Sequence, residues 1–186
     1  MSTPDPRAAR YEDLFDLPET LVGEIIAGQV HTHPRPAPRH ARAYSAMGFV
    51  LGGSFDGGDS GPGGWWILDE PELHLGPHVL VPDLAGWRRE RMPELPETAW
   101  FEQAPDWVCE ILSPSTARID RALKMPLYSE YGVAHCWLVD PDARTLEVFA
   151  RQDDGHWLQL AVLKDNDAVS QPPFDAISFP LDRLWA

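Results

Sequence analysis

Two acidic residues interrupt runs that otherwise read as buried strand. Glu110 lies inside Asp106-Trp-Val-Cys-Glu-Ile-Leu112, and Asp83 follows Pro82 inside Val79-Leu-Val-Pro-Asp-Leu-Ala-Gly-Trp87. A carboxylate in such a run is costly unless it is paired or holds a metal. Two of them close together repel, and one must keep its proton. A divalent cation removes that penalty. Mg²⁺ takes one or two carboxylates and completes its octahedron with waters and substrate phosphate oxygens. A metal held this way polarises a phosphoryl oxygen and generates hydroxide from water. A neighbouring lysine can orient that water and stabilise developing negative charge. Asp120, Lys124 and Tyr128 recur every four residues and so share one stripe of a helix. If that stripe faces Glu110, a carboxylate, an ammonium and a phenol converge.

The elements that must bring them together are legible. The run ending at Leu112 is short, apolar and bounded by turn residues, which predicts a strand. Ser113-Pro-Ser-Thr116 supplies capping hydroxyls, so a helix starts near Ser115 or Thr116. Gly132 stops it, and His135-Cys-Trp-Leu-Val-Asp140 is a second buried strand. Strand, helix, strand is a parallel crossover unit. Pro126 removes a backbone donor inside that helix and either re-aims Lys124 or splits the helix there. Around this unit the sequence predicts a short helix over 11–17, a hairpin over 21–33 turning at Ala27-Gly28, and a helix over 39–51 with Ala43, Met47 and Val50 on its apolar stripe. A glycine loop spans 52–64. Two antiparallel strands, 65–75 and 79–87, follow, the first irregular at Pro71. A hairpin over 145–163 turns at Asp153-Asp154-Gly155. The last apolar residues (Phe179, Leu181, Leu184, Trp185) pack back onto the domain.

Composition sets the outer bounds. The 186 residues suit one domain, 1–186, with 1–10 a flexible arm. No apolar run approaches a membrane span and the N-terminus has no apolar signal region, so a soluble cytoplasmic protein is expected. Cys109 and Cys136 read as small buried hydrophobes, without zinc spacing or a disulfide. There is no phosphate loop with a following lysine and no Gly-x-Ser-x-Gly elbow. With 15 basic against 29 acidic residues, the net charge of −14 works against unspecific nucleic-acid binding. Any backbone contacts must come from local arginines, with Arg35, Arg39, Arg42, Arg88, Arg89, Arg91, Arg118 and Arg121 as candidates. Eight tryptophans, several near predicted edges, suggest apolar surface that a homodimer would cover.

Taken together, Val81-Pro82-Asp83, the block Glu110-Ile-Leu-Ser-Pro-Ser-Thr116 and the downstream Lys124 resemble the PD-(D/E)XK nuclease superfamily. Within it, Gly23-Glu24-Ile-Ile-Ala-Gly28, Pro38-Arg39-His40 and Trp137-Leu-Val-Asp-Pro141 are similar to a bacterial restriction-endonuclease-like domain family of unassigned biological role. The resemblance covers nearly the whole chain. It implies an α/β, restriction-endonuclease-like fold: a mixed β-sheet flanked by helices, with added antiparallel hairpins. It implies Asp83 and Glu110 as ligands of Mg²⁺ or Mn²⁺, Lys124 as the third catalytic residue, and DNA as substrate. The superfamily usually carries its lysine two residues after the acid. That position is Leu112 here, so the role passes to Lys124 on the following helix.

Supporting roles stay open between two readings. Glu24 is an acid at the edge of the site or a hairpin surface charge. His40 touches a phosphate or is an ordinary half-buried imidazole. Asp120 helps hold the site or only pairs with Lys124. Tyr128 supports Glu110 or fills core. Glu70 and Glu72 fit either ligands or edge charges. His31 and His33 share a strand face but lack a third zinc ligand. Against the endonuclease stand a non-catalytic nuclease-like interaction module and a metal phosphoesterase acting on small or single-stranded substrates.

Overall fold

The structure, a computed structural model, describes residues 7–34, 36–59 and 61–185. The first six residues of the expected arm and Arg35 therefore lie outside the described residues. The rest of the arm is tied down: Ala9 N–H donates to the Gly28 carbonyl at 2.8 Å, and Arg7 pairs with Asp13 at 2.6 Å.

The core is a six-stranded mixed sheet. Its strands are β3 (Trp65–Asp69), β6 (Leu84–Arg88), β7 (Trp107–Ile111), β8 (His135–Asp140), β9 (Thr145–Arg151) and β10 (Trp157–Lys164), in spatial order β10-β9-β8-β7-β6-β3. Only β7 and β8 run parallel, with Val108 opposite Cys136 and Glu110 opposite Leu138. The predicted crossover is thus present. Alternation along β7 sends Trp107, Cys109 and Ile111 to one face. There they meet helix α1 (Pro38–Leu51), whose Ala43, Met47 and Leu51 are buried. Val108 faces the other way, toward Met125, Tyr128 and Cys136. Phe179, Leu181 and Leu184 close the α1 side, as expected from their apolar character.

A second sheet packs beside the crossover. It contains β1 (Leu21–Ile26), β2 (Gln29–Pro34), β4 (Leu73–Leu75) and β5 (His78–Leu80), in order β2-β1-β5-β4. The β1–β2 turn at Ala27 and Gly28 has φ of 51° and 73°, the left-handed pair a tight two-residue hairpin requires. A two-stranded pair of β11 (Ala168–Val169) and β12 (Phe179–Pro180) completes the strands.

Three expectations need correcting. The strands expected over 65–75 and 79–87 are each cut in two and shared between the sheets: β3 pairs with β6, and β4 with β5. Pro71 and Pro82 lack ladder donors, and Glu70 turns with φ of 44°, so neither strand can run on. Asp83 therefore sits at the joint between β5 and β6, not inside a strand. Next, the glycine segment is not all loop. The chain continues α1 as a π turn, Gly52–Asp56, because Phe55 has a buried partner in Phe174, ring centroids 4.6 Å apart. Finally, tryptophan supplies less open apolar surface than its number suggested: Trp65, Trp87, Trp107 and Trp137 are buried and the other four half-buried.

The crossover helix over 117–130 has three parts: α2 (Ala117–Ile119), a π turn (Asp120–Lys124) and α3 (Met125–Glu130). Pro126 is near the start of α3, so its missing donor falls where the wide turn ends. Gly132 ends the unit at φ of 82°. A Cβ there would meet no atom, so Gly132→Ala tests backbone conformation alone. It is expected to cost about 1 kcal/mol in chemical denaturation. An unchanged denaturation midpoint would show that this turn imposes no left-handed requirement.

Candidate active site

Four elements meet where the two sheets join. β7 carries Glu110 on the face it turns to the crossover helix. The register pairs Leu84 with Cys109, and one further step sets Asp83 opposite Glu110. Asp83 makes that step with its side chain: Oδ2 accepts the Ile111 N–H at 2.7 Å. Its other oxygen, Oδ1, lies 3.3 Å from His40 Nε2 on the first turn of α1. From the small sheet, Glu24 Oε1 accepts the Val81 N–H at 2.7 Å.

The helix stripe faces this group as its spacing predicted. Lys124 Nζ lies 2.9 Å from Glu24 Oε1 and 2.9 Å from Glu110 Oε1. It also lies 3.8 Å from Asp120 Oδ1 and donates to the Val81 carbonyl at 3.1 Å. Tyr128 donates its phenol proton to Glu110 Oε1 at 2.5 Å. Glu110 and Lys124 are each only 2% exposed. Glu24, His40, Asp83, Glu110, Asp120 and Lys124 line a cleft of about 270 Å³, together with Pro34, Pro36, Ala37 and Ser113–Thr116.

The charges do not balance locally. Glu24, Asp83, Glu110 and Asp120 face one lysine and one imidazole. Burial raises the pKa of Glu110 well above its ordinary 4.5, against the pull of Lys124. Burial likewise raises Asp120, opposed by Lys124 and by a hydrogen bond from Thr116. Burial disfavours charge on Lys124, but Glu110, Glu24 and Asp120 together outweigh it and hold the ammonium well above its ordinary 10.5. His40 is raised too: Asp83 overcomes the burial that lowers it. Its Nδ1 is buried without a hydrogen bond among the described residues. The site thus gathers four acids around one locked ammonium and one imidazole.

Every residue singled out from the sequence for this site is brought to it: Asp83, Glu110, Lys124, Glu24, His40, Asp120 and Tyr128. Glu70 lines the cleft, whereas Glu72 turns away to pair with His74 at 2.7 Å. His33 reaches the lip, its Nε2 4.0 Å from Glu24 Oε2. Sequence reasoning missed the main chain of Val81, whose N–H and carbonyl bind Glu24 and Lys124; its one signal was its place before Pro82-Asp83. The arginines divide. Arg39 and Arg42 sit on α1, and Arg39 lines a groove that shares Ala37, His40, Ser113 and Pro114 with the cleft. Arg121 is paired with Glu147. Arg88, Arg89 and Arg91 belong to the opposite end of β6, roughly 16 Å away at about 3.3 Å per residue, so they do not serve this cleft. There Arg88 and Arg89 lie over Trp65 and Trp66, and Arg91 pairs with Asp106 at 2.7 Å.

Tyr128→Phe removes one donor and little volume. The loss of a hydrogen bond to a carboxylate is expected to cost about 1.5–3 kcal/mol by chemical denaturation. An effect near zero would show that the phenol does not hold Glu110.

The architecture is that of a restriction-endonuclease-like domain. The crystal structure of a "putative nuclease belonging to DUF820" from Anabaena variabilis ATCC 29413 is similar, with a TM-score of 0.74 and 25% sequence identity over 93% of this chain and 95% of that one. Residues 10–182 match the model of the Uma2 family, described as "Putative restriction endonuclease", and the chain belongs to that family. A search of curated proteins found no match. Among the described residues, no helix is long and apolar enough to cross a membrane.

Proposed function

We propose that this protein is an endonuclease that hydrolyses DNA phosphodiester bonds at the cleft with Mg²⁺ or Mn²⁺, held by Asp83 and Glu110. One observation carries the reading. Two carboxylates, Glu110 on β7 and Asp83 at the joint between β5 and β6, are fixed opposite each other in the cleft, where four acids meet one lysine and one imidazole. Glu110 is held through Oε1 by Tyr128 and Lys124, while Oε2 has no hydrogen bond among the described residues. Among the described residues, no three His, Cys, Asp or Glu side chains form a ready-made metal cage. The donor set fits Mg²⁺ in another way: two fixed carboxylates suffice when waters and phosphate oxygens supply the remaining positions.

A bound divalent ion would polarise the scissile phosphoryl group and make water a better nucleophile. The chain's own groups do the rest. Tyr128 and Lys124 fix the orientation of Glu110, and the Ile111 N–H and His40 fix that of Asp83. Lys124 keeps a positive charge at the cleft floor, where negative charge builds on the phosphate oxygens. Asp120 and Glu24 hold that ammonium in place. Cys109 and Cys136, both buried and unpaired, fit a reducing cytoplasmic setting.

The test is cleavage of supercoiled plasmid and of single-stranded circular DNA with Mg²⁺ or Mn²⁺. Wild type should cut at least one, and Asp83→Ala and Glu110→Ala should cut neither. Equal cleavage by all three proteins would mark a contaminant. Absence of both cleavage and calorimetric Mn²⁺ binding in wild type would leave a non-catalytic nuclease-like module.

A further inference from the structure

The cleft does not end at its mouth. Ala37, His40, Ser113 and Pro114 line both it and an adjoining groove of about 390 Å³, which continues along Pro38, Arg39, Pro141 and Asp142. Arg39 and Pro141 in turn border a narrow notch with Arg144, Leu184 and Trp185. One turn along α1 from Arg39, Arg42 donates to the Arg183 carbonyl at 2.8 Å. Arg42 and Arg183 share a hollow with Phe49, which is 81% exposed and is the most exposed large apolar side chain among the described residues.

This strip is unusual for the chain. In a protein of net charge −14, four arginines gather here. Arg144 and Arg183 make no ion pair among the described residues. Arg39 pairs with Asp142 at 3.2 Å, but both side chains are well exposed, so a phosphate can exchange for that contact at little cost. Two further acids on the strip are exposed: Asp182 beside Arg183, and Asp165, whose main chain bonds Arg144 at 2.9 Å and Trp185 at 2.6 Å. Aromatic side chains alternate with the cations: Trp185 is half-buried in the notch and Phe49 projects into solvent.

We propose that this strip, from His40 at the cleft past Arg39 and Arg144 to Trp185 and Phe49, binds a single-stranded stretch of DNA and feeds it to the cleft. The inference rests on the nuclease reading of the cleft. Spaced cations with interposed ring faces suit a strand whose bases are unpaired, because each phosphate finds an arginine and an exposed base finds a ring. A duplex keeps its bases stacked inward and has no use for Phe49. It also carries about one charge per 1.7 Å of axis, which would meet the acidic remainder of the surface.

The test is fluorescence anisotropy with a labelled 20-nucleotide single strand and its duplex, in EDTA and low salt, so that binding is read without cleavage. Wild type is expected to bind the single strand more tightly. Arg144→Glu should weaken that binding about tenfold. Phe49→Ala should weaken it about fivefold or more. Arg10→Glu, with the same charge change outside the strip, should bind like wild type. Both strip residues are exposed, so melting temperatures should be unchanged, and either variant alone can decide if the other folds poorly. Tighter duplex binding, wild-type affinity in both strip variants, an equal loss in Arg10→Glu, or no binding of either oligonucleotide overturns the proposal. Failure of the nuclease reading looks different: strand binding persists, with the same losses in the strip variants, but no metal supports cleavage.

Discussion

Glu110→Gln is expected to abolish DNA cleavage and, at neutral pH, to make the protein harder to unfold. The two effects have one source. The carboxylate of Glu110 is buried among other acids, and its folded-state pKa is raised well above 4.5. A group with a raised pKa adds stability while it is protonated, and that stability is lost as pH rises through its folded value. At pH 7, above the unfolded value, Glu110 burdens the fold whether it is held ionised or must take up a proton on folding, and a neutral isostere relieves that burden. The glutamine oxygen can still accept the Tyr128 proton, and Lys124 keeps Glu24 and Asp120. A gain in stability is expected at pH 7, vanishing below pH 4.5, where both side chains are neutral. Activity moves the other way. Replacing a group one step removed from a metal costs about 10- to 100-fold, so loss of a ligand should exceed 100-fold. Denaturant midpoints at pH 7 and pH 4, beside a cleavage assay, check both. An active variant, or one destabilised at pH 7, contradicts the ligand assignment.

Lys124→Met should have the largest effect on stability. It strips the only lysine from Glu24, Glu110 and Asp120 while keeping most of the side-chain volume. Breaking a buried ion pair from one side costs about 3–5 kcal/mol, because the stranded charge stays buried. The pH dependence follows from the signs. Glu110 and Asp120 both have raised pKa values, so the variant should recover as the pH falls toward 4 and they become neutral. Wild type should instead hold its Lys124 contribution up to pH 10.5 and lose it only as pH climbs through the still higher folded value. Added Mn²⁺ should raise the variant's melting temperature by more than it raises that of wild type. A melting temperature within a degree or two of wild type at pH 7 would mean that Lys124 does not hold the acids.

The parts of the site that could be read from sequence are those governed by local periodicity. Alternation in 107–111 set Glu110 apart from Cys109, and the fourfold spacing of Asp120, Lys124 and Tyr128 put them on one stripe. Both survive the π turn, because a single wide turn still leaves the three side chains facing the same strand. Asp83 was found as a residue but misplaced in its element. Whether a strand runs straight through Pro82 or changes sheets depends on partners distant in sequence, β1 and β3, which no local rule sees. Glu24 was ambiguous for the same reason. Between Gly23 and Ile25 it looks like any hairpin charge, and only the packing of β1 against the crossover helix buries it. The π turn after α1 also needed a distant partner, Phe174.

The division of the acids between two sheets has a mechanical consequence. Glu24 rides on the small sheet and Glu110 on the large one, and Lys124 is bonded to both. The gap between these acids is therefore a gauge of how the sheets tilt against each other, and Leu73 and Leu80 of the small sheet share a buried cluster with Val108 and Leu138 of the large one. Loosening that hydrophobic bearing, far from any phosphate, would slacken the grip on an ion without touching a single ligand.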